Sequence, residues 1–222
     1  MDSIQINSDS RISHLSLSAR VHQTLRAWLS GGELEPGQKM TGRILAEKLG
    51  VSQTPVREAL LQLVAEHALT MNPNRSITVP VLSRDKFIEL RDMRVALEGL
   101  AARCAALRCT TQEIDAIEAM HTEMMGAKQS GDFKNTLRLN RQIHFAVCEM
   151  SQREELFAVI QSLWARTGPY LNFLYRENKP VFKTAHPHEK LIQALRAHHA
   201  VMAEQAIAQD IIDGGADIIS AL

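Results

Sequence analysis

The segment GVSQTPVREAL, residues 50–60, decides how the first third of this 222-residue chain folds. Pro55 fits the first turn of a helix, where a missing backbone N–H costs nothing. An apolar stripe at helical spacing begins at Val56. Gly50 stands where a left-handed residue would end a preceding helix. The segment therefore predicts two helices joined by a tight turn.

The residues on either side extend this pair of helices into a longer pattern. A first amphipathic helix runs from Leu15 to the glycines at 31–32, and a short helix covers residues 41–49. After the third helix, residues 69–71 and 77–79 are β-prone runs on either side of a turn, which predicts a hairpin. Three helices followed by a hairpin are the element order of a winged helix-turn-helix.

Polar side chains cluster where the third helix begins. The first turn carries Ser52, Gln53, Thr54 and Arg57, and Arg43 lies at the start of the preceding helix. A helix with one buried stripe can lay its other face in the major groove, and its N-terminus favours a phosphate. The pattern predicts contact with double-stranded DNA. The alternative is that Arg57 and Glu58 are solvated surface and that Ser52 is only a helix cap.

Composition limits the class of protein. Hydrophobic residues make up 45% and charged residues 23%, which excludes a disordered or collagen-like chain. No apolar run approaches the roughly 18 residues of a membrane span, and residues 1–17 lack the apolar core of a signal peptide. Three irregularly spaced cysteines fit a reducing cytoplasm. Because the 25 basic and 25 acidic residues balance, only a local surface can argue for nucleic acid.

Beyond Pro80 the sequence lacks strand alternation and is rich in helix formers. Six amphipathic segments are predicted, at residues 84–108, 111–129, 132–150, 153–176, 182–197 and 199–221. The glycine and proline at 168–169 are expected to kink the fourth segment. The prediction is a mainly α protein with a mobile tail (1–14), a winged helix-turn-helix (15–80) and a six-helix antiparallel bundle (84–222).

The N-terminal motifs resemble those of the GntR family of bacterial transcription regulators. The resemblance is carried by GVSQTPVREAL, by the LxPG of residues 34–37 and by LAEKLG at 45–50. It implies a winged helix that binds operator DNA as a dimer. The positions implied to contact DNA are Arg43, Ser52, Gln53, Thr54, Pro55, Arg57 and, in the wing, Arg75.

Two departures from the family pattern change what the DNA-binding surface is expected to do. The family usually has Arg at the position of Gln53, and Gln pairs with adenine where Arg pairs with guanine. The wing usually reads Arg-Gly, whereas this chain has Arg75 followed by Ser76. Losing that glycine restricts the backbone of the wing.

The C-terminal half resembles the FCD effector domain of the FadR-like branch of this family. The matching motifs are RVALE at 94–98, NRQIHF at 140–145 and HEKLIQAL at 188–195. Residues 15–19, 54–61 and 163–169 are further similar to regulators of colanic acid and biofilm formation within that branch.

The FCD resemblance implies a site for a divalent transition metal such as Zn, Ni or Mn. Its ligands would be Asn140, His144, His188 and Asp210. Asn140 replaces the family's Asp and Asp210 replaces its final His, so the ligand set is altered. The alternative is that His144 and His188 are buried, hydrogen-bonded residues that line an effector cavity without metal.

Arg94 has two possible roles. Arg94 either binds the carboxylate of an organic-acid effector or forms an i,i+4 ion pair with Glu98 on the helix surface. His186, His198 and His199 are expected in loops or at helix starts.

Together these features predict a homodimeric, cytoplasmic DNA-binding regulator, a repressor rather than an enzyme. A small-molecule effector in the C-terminal domain would modulate its affinity for DNA. The rival hypotheses are a helical metalloenzyme, or a metal sensor, that uses His144, His188 and Asp210.

Overall fold

The computed structural model describes residues 16–175 and 186–222. The predicted tail of residues 1–14 lies outside the described residues, as do Leu15 and the parts of the predicted helices within 176–185. Among the described helices, none combines the length and the hydropathy that crossing a bilayer requires.

The N-terminal domain has the predicted order of three helices and a hairpin. Its elements are α1 (Leu17–Ser30), α2 (Gly42–Leu49), α3 (Gln53–Ala65), β1 (Thr70–Met71) and β2 (Ile77–Thr78). The two strands are antiparallel, with Thr70 opposite Thr78. Lys39, from the segment before α2, forms a bridge to Thr78, which anchors the hairpin to the helices.

Local sequence signals set the ends of these helices. The side chain of Ser16 caps α1 by accepting a hydrogen bond from Ala19 N–H, and Gly31 ends that helix. Gly50 ends α2 with a φ of 66°, a left-handed conformation that glycine adopts without strain. The apolar stripes of α1 and α3 meet in a core that includes Leu25 and Leu63, both fully buried.

The C-terminal domain consists of six α-helices and one 3-10 helix within the described ranges. They are α4 (Arg84–Ala106), α5 (Thr111–Gln129), α6 (Phe133–Met150), α7 (Glu154–Thr167), the 3-10 helix (Gly168–Tyr175), α8 (Pro187–Arg196) and α9 (Ala200–Ala221). Thr110 and Glu113 form the reciprocal capping box that starts α5. The predicted mainly α fold, with a winged helix-turn-helix and a helical bundle, is confirmed.

Helices α4 and α9 form an antiparallel pair along the domain. Arg103, near the end of α4, pairs with Glu204 near the start of α9, and Arg91 packs on Gly215 at the opposite ends. Fully buried aliphatic side chains of the pair and of α5, α6 and α8 form one core, which includes Ile117, Ile143, Leu191 and Ile207. Each such side chain contributes about 1.5–3 kcal/mol on burial.

The helical pattern expected to kink at residues 168–169 changes type there. The α-helix ends at Thr167, and the chain continues from Gly168 as the 3-10 helix. Gly168 lies against the backbone of Leu29 and Ser30, where α1 ends. The change of helix type therefore coincides with the contact between the two domains.

Candidate functional site

The outward face of α3 presents most of the side chains predicted to read DNA. Ser52, Gln53, Thr54 and Arg57 are exposed. On the opposite face, Val56 and Leu60 are buried in the domain core. Ser52 occupies the N-cap position without making a side-chain capping bond. The first-turn N–H groups of α3 are therefore available to donate to a phosphate.

Pro55 is the member of the predicted set that the structure corrects. Its side chain is buried with the apolar stripe of α3. A ring that faces the core cannot contact a DNA duplex docked on the other side of the helix. Pro55 instead pre-orders the first turn of α3, because its fixed φ matches helical backbone.

Arg43 and Arg75 flank the face of α3 and are both exposed. The wing closes without the family's glycine, because Arg75 itself takes the left-handed conformation with a φ of 62°. Asn74 Oδ1 accepts a hydrogen bond from Ser76 N–H at 3.1 Å and stabilises this turn. Left-handed backbone is costly for a residue with a Cβ, so the wing is held in a strained conformation. Contacts of these arginines with DNA stay predictions.

The C-terminal domain encloses a cavity of about 140 Å³. Its walls come from α4, α5, α6, α9 and the 3-10 helix, with apolar side chains such as Leu137, Leu171 and Ile218. Its polar lining includes Arg94, Lys128, Asn140, His144, His186 and Asp210. The cavity thus brings together three of the four predicted metal ligands and the predicted effector-binding arginine.

A buried chain of charged groups forms one side of this cavity. Glu98 Oε1 accepts hydrogen bonds from Arg94 Nε at 2.6 Å and from Trp164 Nε1 at 3.0 Å. Glu98 Oε2 lies 2.7 Å from His144 Nδ1, and His144 Nε2 lies 2.9 Å from Asp210 Oδ2. Because an ionised carboxylate only accepts, both ring nitrogens of His144 must donate, and the ring is an imidazolium.

The pKa values of these groups follow from their contacts. Burial alone would lower the pKa of His144, but its hydrogen bonds to Asp210 and Glu98 raise that pKa to about 9. Burial would raise the pKa of Glu98 and of Asp210, yet hydrogen bonds and electrostatic attraction from their neighbours hold both below their usual range. For Glu98 the largest such contribution is Arg94, and for Asp210 it is His188. The chain of groups is therefore fully charged near neutral pH.

Arg94 has the ion pair with Glu98 that its spacing predicted, but the expected surface location is wrong. The side chains of Arg94 and Glu98 are only 8% and 1% exposed. The Arg94 guanidinium also lies 3.9 Å from the centre of the Trp164 ring. A buried carboxylate that accepts hydrogen bonds from Arg94, His144 and Trp164 is far more costly to disrupt than a surface pair. The effector contact of Arg94 stays a prediction, and its place on the cavity wall suits it.

The predicted metal ligands come together but are not equally available. Potential ligand atoms of His144, His188 and Asp210 lie within 4.8 Å of one another, and Asn140 lines the adjoining cavity. His144, however, uses both nitrogens on Glu98 and Asp210. A metal ligand needs a nitrogen lone pair, so His144 does not fit the role of ligand in this arrangement.

Two further histidines lie at this site, and the sequence analysis gave neither of them a functional role. His186 is the N-cap of α8, as a helix-start residue should be, yet it also lines the cavity. His121 is buried on α5. Its position on the apolar stripe with Ile114, Ile117 and Met124 is the signal that could have identified it, since a polar residue on a buried stripe needs a partner.

The histidine pKa values predict a maximum of stability near pH 6.5 for the metal-free protein. Below that pH the stabilisation from His144 is complete, and it is lost as the pH rises through about 9. Burial and the adjacent His188 lower the pKa of His186 to about 3. The unfolded state therefore binds a proton that the folded state does not below about pH 6.5, and stability falls towards acid.

Urea denaturation with a chelator, from pH 5 to pH 9.5, measures this dependence. One proton changes the free energy of unfolding by up to about 1.4 kcal/mol per pH unit. The alkaline decrease should disappear in His144→Gln, whereas His199→Gln, an exposed control, should retain it. A stability that stays constant from pH 6.5 to 9.5 in the wild type would contradict the charged state of His144.

The cavity is connected to the DNA-binding domain through two elements. Arg141 follows Asn140 on α6, and its Nη1 donates to Ala27 O at 3.0 Å and to Ser30 Oγ at 2.9 Å, at the end of α1. On the 3-10 helix, Asn172 donates to the carbonyl of Gly32. A shift of α6 or of the 3-10 helix at the cavity would therefore act directly on α1.

Both halves of the chain match models of known protein families. Residues 17–79 match the model of bacterial regulatory proteins of the gntR family, and residues 89–212 match that of the FCD domain. The chain is 34% identical over 189 residues to the HTH-type transcriptional regulator McbR of Escherichia coli K12, covering 84% of this chain and 86% of that one. It is 35% identical over 133 residues to the Nta operon transcriptional regulator of Aminobacter aminovorans, covering 59% and 62%.

Solved structures show the same likeness. E. coli McbR/YncC superposes with a TM-score of 0.87 at 31% identity, covering 94% of this chain and 99% of that one. A GntR regulator from Rhodococcus sp. RHA1 gives a TM-score of 0.74 at 19% identity, covering 94% and 100%. The second likeness concerns the fold alone.

Proposed function

Because the chain belongs to the gntR family of bacterial regulatory proteins and carries an FCD domain, we propose that a small organic anion in its cavity sets its affinity for operator DNA. The proposed binding to DNA rests on the first turn of α3, whose polar side chains are exposed while the apolar stripe of the same helix is buried. The protein acts as a cytoplasmic repressor and binds rather than catalyses.

The lining of the cavity supports an anionic effector. Arg94 and the largely buried Lys128 both reach it. A guanidinium can pair with a carboxylate through two parallel hydrogen bonds, which favours planar organic acids. A volume of about 140 Å³ limits the effector to a small molecule. Asn140 adds a neutral group that can donate to or accept from the same ligand.

A homodimer supports recognition of two half-sites. Exposed apolar side chains lie at one end of the α4–α9 pair, among them Leu100, Leu107, Val201 and Met202. Burying such side chains between two copies would be favourable. Two winged helices held in this way would match half-sites about one helical turn apart.

The effector would act through the contacts between the domains. An anion drawn to Arg94 lies against α6, and Arg141 of that helix binds the end of α1. The effector must bind more tightly to one arrangement of the two domains than to the other, because equal affinity would shift nothing. Whether binding releases or recruits DNA follows from which arrangement it favours.

Selection of duplexes from a random library by the full chain tests this function. We expect a two-fold symmetric site whose half-sites are spaced by about one turn, with adenine favoured at the base that Gln53 contacts. Matching that site to a genome would name the regulated genes and test the expectation of colanic acid or biofilm genes. Failure to enrich any sequence at low salt would overturn the proposal.

A further inference from the structure

The segment that joins the two domains is short and is anchored at both ends. Val79, at its start, is buried in the core of the winged helix-turn-helix, and its N–H donates to Gln38 O at 2.9 Å. Leu82, at its end, packs against the core of the C-terminal domain. Only Pro80 and Val81 lie between these anchors, and the proline ring fixes one backbone angle. The orientation of the winged helix-turn-helix on the bundle therefore depends on a linker of very few residues.

One hydroxyl group holds this linker to the C-terminal domain. Tyr170 Oη donates to the carbonyl of Pro80 at 3.0 Å and accepts from the N–H of Leu82. Tyr170 is only 1% exposed, so water competes poorly for these two bonds. Because the hydroxyl binds the backbone on both sides of Val81, it fixes the direction of the linker and not a single point on it.

The ring of Tyr170 lies against the wall of the cavity. Its centre is 5.6 Å from that of Phe87, which lines the cavity, as does Leu171, the next residue in the chain. Asn172 of the same 3-10 helix donates to the carbonyl of Gly32, beyond the end of α1. The 3-10 helix thus contacts the cavity, the linker and the DNA-binding domain. A displacement of the cavity wall would reach the linker through one rigid aromatic side chain.

We propose that Tyr170 is the positioning residue that fixes the orientation of the winged helix-turn-helix relative to the cavity wall. This inference rests on the proposed function, because two winged helices on two half-sites need a fixed orientation. A dimer gains most affinity from the second half-site when its second reading helix is already in place. Loss of the hydroxyl frees the linker, so it should weaken binding to a full operator and leave binding to one half-site unchanged.

Binding of the selected full operator and of a single half-site duplex by Tyr170→Phe tests this role. Phenylalanine keeps the ring that packs on Phe87 and removes only the hydroxyl. Binding to the full operator should weaken by about tenfold or more, and binding to the half-site should change by less than about twofold. Thr122→Val is the matched control, because the lost hydroxyl bonds to the carbonyl of Glu118 in its own helix. That variant should bind both duplexes as the wild type does, and circular dichroism confirms that each variant is folded.

A double-mutant cycle tests the connection to the cavity. Phe87→Leu changes the wall on which the Tyr170 ring packs, and it should weaken full-operator binding by about threefold or more. In the Tyr170→Phe background the same change should alter binding by less than about twofold, because the linker no longer follows the wall. An equal effect of Phe87→Leu in the two backgrounds, or no effect in either, would contradict the connection.

The two duplexes separate positioning from general structural support. If Tyr170→Phe weakens binding to both duplexes by the same factor, or matches the wild type on the full operator, the role of Tyr170 is overturned while the regulator function stands. Equal affinity of the wild type for the two duplexes would overturn it as well. A wild type that binds neither duplex would refute the proposed function, and this inference with it.

Discussion

Replacing Glu98 by Gln is expected to lower the free energy of unfolding by about 3–5 kcal/mol. Glu98 is 1% exposed, and its two oxygens accept from Arg94, Trp164 and His144. An amide of the same size removes the charge between two buried cations and turns an NH₂ group towards another donor. Breaking one partner of a buried ionic network leaves the other charges uncompensated, which is the origin of the large cost.

Equilibrium urea denaturation measures this loss. Glu204→Gln is the matched control, because Glu204 pairs with Arg103 on the surface, where the two side chains are 40% and 52% exposed. Such an exposed pair contributes about 0–1 kcal/mol. Adding Arg94→Met to Glu98→Gln should recover part of the loss by removing one unpaired cation. A Glu98→Gln protein within 1 kcal/mol of the wild type would show that the buried network is not what stabilises this domain.

Replacing Gly168 by Ala is the second large expected effect. A Cβ at this position would clash with the carbonyl oxygen of Leu29 and would lie 2.7 Å from the Cα of Ser30. Both are backbone atoms and cannot rotate away, so the end of α1 and the 3-10 helix must separate. Overpacking of this kind costs about 1–3 kcal/mol. The contact between the DNA-binding domain and the effector domain should weaken by a similar amount.

Thermal unfolding checks this expectation. Gly126→Ala is the control, because Gly126 lies within α5 and a Cβ there meets no atom of residues 16–175 or 186–222 within 4 Å. That variant should be unchanged or more stable by up to about 1 kcal/mol, since alanine is the better helix former. If Gly168→Ala unfolds at the same temperature as Gly126→Ala, and not at a lower temperature than the wild type, the two domains are not packed as described.

Features that depend on neighbouring residues in the chain could be predicted from the sequence. The caps at Gly50 and Thr110 and the hairpin of the wing follow from local backbone preferences, which need no tertiary information. The exposed side of α3 follows from the stripe that begins at Val56. The four polar residues of its first turn were identified in the same way, whereas Pro55 was included on resemblance and proved to be buried.

Features that depend on distant residues could not be predicted. The spacing of Arg94 and Glu98 indicates a pair, but their burial depends on Trp164, 66 positions beyond Glu98 in sequence. His144 has no free ring nitrogen, because Glu98 and Asp210, both distant in sequence, each bind one of its two nitrogens. His121 lies 65 positions before His186, and only the packing of α5 on α8 brings the two rings together. The glycine and proline at 168–169 predict a kink, and the α-helix in fact ends there and continues as a 3-10 helix. The contact of Gly168 with the end of α1 has no signal in the local sequence.

Binding of the selected operator duplex by the wild type and by Arg57→Ala tests the central claim most directly. Fluorescence anisotropy at one fixed salt concentration compares them, with Arg103→Ala, an exposed arginine on α4, as the control for lost charge. A lost contact costs about 1–3 kcal/mol, so Arg57→Ala should bind at least about fivefold more weakly, while Arg103→Ala matches the wild type. Equal affinity of all three proteins would contradict the assignment of α3 as the DNA-reading helix.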